Sequence, residues 1–399
     1  MNFIRKKLDA IKPLFEKGGK YERFYFIFEA NETFLFTANE TTPKSGTQIR
    51  DAMDMKRLMS TVVISMIPAL LFGMWNVGHQ HFLAIGETAE FWTKMWLGAK
   101  LVLPIVIVSY VVGLGIEFTI ATIRRHPINE GFLVTGMLIP LVMPPDIPLW
   151  QVAMATAFAV VIGKEVFGGT GMNILNVALT ARAFLYFAYP TDITGDVWVF
   201  KGGQPTVDGY TGATPLSIGA DVAQSGENMV QALTEYGKGW ADGIFDFWNL
   251  FIGIIPGSIG ETSVLMALIG ATILITTGTG SWKITVGVVG GAYVMGTVMN
   301  LLGSNAFMLL PAHYHLVIGG LAFGATFMAT DPVTATQTET GKWYYGILIG
   351  VLTVIIRVWN PAYPEGIMLA ILLMNVFAPL IDYFVVGANK KRRLKRATV

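Results

Sequence analysis

The run from Asp208 to Ser217 reads Asp-Gly-Tyr-Thr-Gly-Ala-Thr-Pro-Leu-Ser and sets four hydroxyl side chains, Tyr210, Thr211, Thr214 and Ser217, among small residues. Taken by itself such text is turn chemistry, because glycine and small polar residues suit tight bends. The Thr214 hydroxyl is a poor nucleophile, and no histidine lies nearby in sequence to activate it. The other candidates are carboxylates, amides and rings set in apolar text. Glu117 follows Gly113, Leu114 and Gly115 in Tyr-Val-Val-Gly-Leu-Gly-Ile-Glu. A carboxylate inside an apolar span is costly and functional by default; Arg124 and Arg125, about two turns further on, offer the plainer alternative of an ion pair. Asp331, followed by Pro332, reads either as a site at a helix break or as an ordinary helix-ending turn. Asp382, shortly before a basic tail, reads equally as an interfacial charge. Asn173 and Asn176 carry amides that both donate and accept, for a ligand or for the backbone of a broken helix. Phe323 and Phe327 lie one helical turn apart and either constrict a path or simply pack. His313 with His315, and His79 with His81, are ligand pairs without a third member, so they make no metal site. Gly168 to Gly171 lacks the Gly-Lys-Ser/Thr of a phosphate loop.

The elements that must hold these residues are membrane spans. Of 399 residues 53% are hydrophobic and only 14% charged, where a soluble domain carries about 25%. Mean hydropathy is +0.54. A chain so short of charge faces lipid. The formal charge of +1 gives no basic field for nucleic acid. The absence of cysteine excludes disulfides, thiolate nucleophiles and cysteine-ligated zinc or iron–sulfur clusters supplied by this chain alone. The first residues lack the apolar core of a cleavable signal peptide.

A span needs about 20 apolar residues, fewer where the helix is broken or shielded. Ten stretches qualify, at 58–77, 97–123, 131–145, 150–168, 173–190, 263–280, 284–303, 315–330, 343–358 and 366–386. The third and eighth are short, and the fifth, with Asn173, Asn176 and Arg182, belongs in the protein interior. Basic loops stay cytoplasmic. Eleven Lys/Arg lie in 1–57, Arg124 and Arg125 follow the second span, and six more lie in the tail from Lys390 to Arg396. Ten spans put all three on one side. The stretch 191–262, with nine acidic residues and two lysines, falls on the other. The expected organisation is a cytoplasmic segment 1–57, a five-helix repeat 58–190, an acidic non-cytoplasmic loop 191–262, a second repeat 263–386 and a basic cytoplasmic tail 387–399.

The chain looks duplicated. Gly131–Trp150 and Gly319–Gln337 are both glycine-containing apolar runs that stop at a Pro/Asp cluster. Asn176 follows Asp146 by 30 residues and Asn360 follows Asp331 by 29. Five spans per half is an odd number, so the repeats are inverted, and interrupted segments at matching places point to a central cavity. The expected fold is an all-α polytopic membrane protein, about ten transmembrane helices in two inverted five-helix repeats, with short or broken helices at the centre.

The block from Asp208 to Thr214 resembles the flavinylation motif in membrane subunits of two bacterial respiratory complexes. Further matches are HPINEGF (His126–Phe132), KEVFGGTGMNILN (Lys164–Asn176), IPGSIGE (Ile255–Glu261), FMATDPVTA (Phe327–Ala335), NPAYPEG (Asn360–Gly366) and the N-terminal KYERFYFIFEANETFLF. Together they resemble the B subunits of Na+-translocating NADH:quinone oxidoreductases over essentially the full length. The RnfD family shares that fold and flavin motif.

The resemblance implies that Thr214 carries FMN through a phosphate ester made by a separate flavin transferase. Asp208, Gly209, Tyr210, Thr211, Gly212 and Ala213 would be the recognition sequence. It implies noncovalent riboflavin near Asn173 and Asn176, and a quinone, ubiquinone or menaquinone, near Gly113, Leu114 and Glu117. Leu114 departs from the Gly-Gly pair common in the family, and Val177 from its Asn-Pro-Ala. The implied Na+ pathway passes Glu117, Asp331 and Asp382, with Phe323 and Phe327 as a constriction. Partner subunits would oxidise NADH, since no nicotinamide fold is encoded here, and the site would be the bacterial inner membrane with both termini cytoplasmic. Two other readings stand beside this one: a ferredoxin-linked Rnf-type subunit, and a non-redox channel or transporter built on inverted repeats.

Overall fold

The computed structural model describes residues 2–16, 18–36, 45–46, 55–125, 131–225, 228–360 and 363–397, with no strand among them. His126–Glu130 of one matched motif, and Pro361 with Ala362 of another, lie outside the described residues. All ten apolar stretches contain helix. They are α1 (Met55–Ala84), α2 (Phe91–Arg124), α3 (Phe132–Leu141), α4 (Leu149–Gly163), α5 (Val177–Ala188), α6 (Val264–Thr276), α7 (Trp282–Leu302), α8 (Leu321–Phe323, continuing as a π-helix over Gly324–Met328), α9 (Glu339–Trp359) and α10 (Ile367–Ala397). Two further helices, Asn2–Ile11 and Tyr25–Leu35, precede them, and the second packs on α2.

Six of the ten, α1, α2, α4 together with the helical turn that carries it on to Phe167, α7, α9 and α10, are long and apolar enough to cross a membrane. α3, α5 and α6 have 10, 12 and 13 residues. At 1.5 Å per residue they reach only about 15–20 Å, short of a ~30 Å hydrocarbon core. The sequence suggested two short segments, the third and eighth; the fifth and sixth are short as well. Backbone outside a helix is tolerated at membrane depth only when protein satisfies it, and here capping side chains do so. Asn176 Oδ1 accepts from the Leu179 N–H at 3.2 Å at the start of α5, and Ser263 Oγ accepts from the Met266 N–H at 3.2 Å at the start of α6.

The internal duplication appears as packing. In the first half α2 packs on α3 and α4, α4 on α5, and α1 on α3. In the second, α7 packs on the π-helix and α9, α9 on α10, and α6 on α8. Like elements also meet across the halves, α1 with α6 and α5 with α10. These matching contacts accord with two halves of five segments each; the packing of α1 on α2 is not repeated to the same extent by α6 and α7. The tight α7–α9 contact rests on small residues: a Cβ on Gly350 would lie 2.1 Å from the Val288 carbonyl oxygen. Between the halves, the acidic stretch has its own core of Leu216, Met229, Leu233 and Leu250, joined to Phe307 and Val317. Its motif is therefore held on a packed surface.

Candidate functional site

Two cavities collect five of the candidate residues, Thr214 in one and Asn173, Asn176, Phe327 and Asp331 in the other. The larger, 270 Å³, is lined by Thr214, Ser217, Arg182, Tyr186, Trp198, Ser258, Glu261, Gly320, Tyr363 and Glu365, among others. Thr214 caps the helix Pro215–Ser225. Its Oγ1 accepts from the Ser217 N–H at 3.2 Å, and its own N–H donates to Ser217 Oγ at 2.9 Å. This reciprocal pairing is a capping box with serine as the third helical residue, and Pro215 takes the first position, where no N–H is needed. The preceding motif is open: Asp208, Gly209 and Thr211 are exposed, whereas Tyr210 is buried against Trp240 at 4.9 Å. Gly212 has φ +85°, a conformation costly for any side chain. Thr211 Oγ1 meets the Tyr236 hydroxyl at 3.0 Å, and Lys201 Nζ donates to the Thr211 carbonyl at 3.2 Å.

A charged cluster forms the inner wall of this cavity. Arg182 donates to Glu261 Oε2 at 2.7 Å and to Glu365 Oε2 at 2.5 Å, and Ser258 Oγ donates to the same Glu261 oxygen at 2.6 Å. The Arg182 guanidinium lies 5.4 Å from the centre of the Trp198 ring. The second oxygen, Oε1, of each glutamate is buried with no hydrogen-bond partner. Burial pushes the Glu365 carboxyl above the usual carboxylate range, Arg182 opposing and Glu261 reinforcing the shift. Arg357, on α9, is spent on backbone, donating to the carbonyls of His315, Ile318 and Glu365.

The smaller cavity, 80 Å³, is lined by Leu58, Lys164, Asn173, Asn176, Phe327 and Asp331, among others. Its polar groups already have partners. Asn173 Nδ2 donates to the Leu175 carbonyl at 3.0 Å, and Asn176 caps α5. Asp331 accepts from the Val333 N–H and the Thr334 hydroxyl, each at 3.1 Å. Lys164 forms a buried ion pair with Glu117. The pairing of Glu117 with Arg124 suggested by spacing is not made; Arg124 instead meets Glu165 at 3.3 Å. Neither Gly113 nor Leu114 lines either cavity. Gly113 faces the Phe132 ring, which a Cβ would approach to 1.8 Å, and that ring lies 5.9 Å from Lys164 Nζ. Phe323 and Phe327 are buried with ring centres 4.8 Å apart. Asp382 lines neither cavity; it accepts from the N–H groups of Gln337 and Thr338 and from the Thr338 hydroxyl, fixing the entry to α9.

Residues 42–391, most of the chain, match the NQR2, RnfD, RnfE family. The chain belongs to this family. Among its relatives is the B subunit of the Na(+)-translocating NADH-quinone reductase of Stutzerimonas stutzeri, 49% identical over 98% of this chain and 99% of that one. The corresponding B subunit of Chromohalobacter salexigens is 48% identical over 98% and 96%, and that of Azotobacter vinelandii 49% identical over 98% and 99%.

For a member of the NQR2, RnfD, RnfE family the two cavities differ in what they would accept. The larger fits a flavin carried on Thr214: its 270 Å³ approaches the ~300 Å³ lower end of ligand pockets, Tyr186, Trp198 and Tyr363 supply ring-sized walls, and two buried carboxylate oxygens await a donor. The smaller does not fit a riboflavin ring as it stands, because 80 Å³ is far below that size; one end of each asparagine amide, Asn173 Nδ2 and Asn176 Oδ1, is committed to backbone.

Two features were missed in the sequence. Lys164 as the partner of Glu117 was hidden by a separation of 47 residues. The Arg182, Glu261 and Glu365 cluster had a readable signal: an arginine inside an apolar span requires a carboxylate, and two matched motifs contain the glutamates that meet it.

Proposed function

We propose that this chain is the membrane subunit of a bacterial Na+-translocating NADH:quinone reductase, carries FMN as a phosphate ester on Thr214, and passes electrons from partner subunits towards quinone while Na+ crosses. The observation that carries the flavin assignment is Thr214 at a helix N-terminus on the rim of the larger cavity. A phosphate there meets the N–H groups and the positive end of the helix dipole. When bound, the flavin supplies the one- and two-electron chemistry that protein side chains lack. The chain's own residues do the rest. The exposed Asp208, Gly209 and Thr211 present the motif to a flavin transferase, and Tyr210 anchors it to Trp240. Arg182 and its glutamates set the charge at the ring's far wall.

In this reading the basic segments lie in the cytoplasm, the loop bearing Thr214 lies outside, and the five-helix units run 58–190 and 263–386. The quinone approaches α2 near Gly113, Leu114 and Glu117; the helix Tyr25–Leu35 packs on the same α2. Na+ passes Glu117, Asp331 and Asp382, with Phe323 and Phe327 closing the path. Noncovalent riboflavin belongs to the reading too; around Asn173 and Asn176 it requires the smaller cavity to widen. The full-length relatives, named as B subunits of the NADH-linked reductase, favour this complex over the ferredoxin-linked one.

The test is in-gel flavin fluorescence and intact mass of the chain from its native host, beside Thr214→Ala. The expected result is one denaturation-resistant FMN per wild-type chain and none in the variant. A bare wild-type chain, with the transferase present, overturns the flavin assignment and leaves a non-redox channel as the better reading.

A further inference from the structure

The two unpartnered carboxylate oxygens are costly. A buried acceptor without a donor forfeits its hydration, and such groups persist where something else supplies the missing bond. Glu261 is 5% exposed and sits at the end of the cavity whose rim carries Thr214. Its bonded oxygen, Oε2, takes both Arg182 and Ser258, which fixes the direction of the free one. Gly320 packs directly on that oxygen: a Cβ there would stand 2.8 Å from Glu261 Oε1, so only a glycine leaves the carboxylate room. Glu365 repeats the pattern from the loop before α10, with Oε2 on Arg182 and Oε1 free. A buried guanidinium is thus braced by two carboxylates, each keeping one oxygen free, with Tyr186, Trp198 and Tyr363 lining the same space. Such a wall suits the edge of a planar heteroaromatic ring that carries an imide N–H between two carbonyls. The isoalloxazine ring has one.

We propose that Arg182, Glu261 and Glu365 hold the pyrimidine edge of the flavin tethered at Thr214, the imide N–H donating to a free glutamate oxygen, and that the net charge of this cluster sets how readily that flavin is reduced. The inference rests on the reading of Thr214 as the attachment point. It assigns these residues a positioning and tuning role that their packing alone does not require. Reduction adds electron density to the ring, so a more positive wall favours the reduced form and a more negative wall opposes it. The charges facing the ring edge come from separate elements, Arg182 on α5, Glu261 before α6 and Glu365 before α10, with Arg357 of α9 behind Glu365. Single substitutions therefore have opposite, predictable signs.

The experiment uses the whole detergent-purified complex from the native host and reads two quantities on each variant. Covalent flavin content comes from in-gel fluorescence and mass, and the reduced-to-oxidised ratio of that flavin from spectroelectrochemistry at one fixed ambient potential. Glu261→Gln, which keeps the shape and removes a negative charge, should retain the flavin and raise the ratio about tenfold or more; Glu365→Gln should move it the same way by less, because burial and Glu261 already favour the protonated Glu365. Arg182→Gln should lower it by a similar factor, and Arg182→Lys, which keeps the charge, should stay nearer the wild type. Gly320→Ala, which crowds Glu261 Oε1, should shift the flavin absorbance spectrum. If Arg182→Gln fails to assemble, the two glutamine variants and Gly320→Ala decide. Full flavin content with an unmoved ratio in the glutamine variants overturns this inference and leaves the attachment reading standing. So does a shift of the same sign in the glutamate and arginine variants, which would mark a general loosening of packing. A wild-type chain without flavin overturns both.

Discussion

The two cavities lie at different levels of one short helix, with Asn176 at the start of α5 facing the smaller and Arg182, about 9 Å further along the axis, facing the larger. In the smaller one the asparagines and Asp331 close turns and cap helices, and Lys164 neutralises Glu117. In the larger one, three charges meet and two carboxylate oxygens are left over. A polar group that completes its own backbone is explained by the fold; the unmatched Glu261 and Glu365 oxygens differ from the other unmatched buried atoms in belonging to side chains that line a cavity. The difference separates residues that build this protein from residues that serve a ligand, even where the residue types are the same.

The comparison breaks most easily at Arg182. Replacing it with Leu leaves Glu261 and Glu365 buried without their cation, a loss of about 3–5 kcal/mol. A large fall in the melting temperature of the purified complex is the expected outcome, and an unchanged melting curve would mean that the cluster is more hydrated than its burial indicates. Lys164→Leu should cost a similar ~3–5 kcal/mol by stranding Glu117. The double variant Lys164→Leu with Glu117→Leu should recover most of that stability while quinone reduction stays impaired. A double variant with full quinone activity would show that the pair is structural only.

Gly113→Ala is the next smaller effect. A Cβ there overlaps the Phe132 ring, and overpacking of this kind costs about 1–3 kcal/mol. Because Phe132 lies over Lys164, the expected kinetic signature is a rise in KM for quinone larger than the fall in kcat. The mildest is Asn176→Ala, which removes a helix cap worth about 1 kcal/mol. It should lower the melting temperature slightly and leave the covalent flavin untouched. Asn176→Asp, which keeps the cap, should melt like the wild type.

Much of this was readable in the sequence, and the boundary has physical causes. The ten apolar stretches and the duplication follow from hydropathy and spacing, because lipid imposes a length and a polarity on each segment. The shortness of α5 and α6 does not follow, since the stretches 173–190 and 263–280 run past both helices: the cap at Asn176 and the Thr/Gly run 277–280 end a helix by hydrogen bonding and backbone freedom, which an average of hydropathy does not register. Thr214 stands out in its motif, yet its position as a helix cap depends on Ser217 and Pro215 beyond the motif's end. Glu117 was visible as a carboxylate in apolar text, but its partner was not, because the chain returns to it only 47 residues later; Asp331 bonds two and three residues ahead, within the turn that its Asp-Pro pair offered. The cluster around Arg182 spans separations of 79 and 183 residues. No local pattern encodes a contact between three separate elements.

The most direct test is the mass of the peptide that contains Asp208–Ser217, released from the complex of the native host with its flavin transferase present. The account predicts a single FMN joined through its phosphate to Thr214, with Thr211 and Ser217 unmodified. An unmodified Thr214, or FMN on another residue of that peptide, would contradict it.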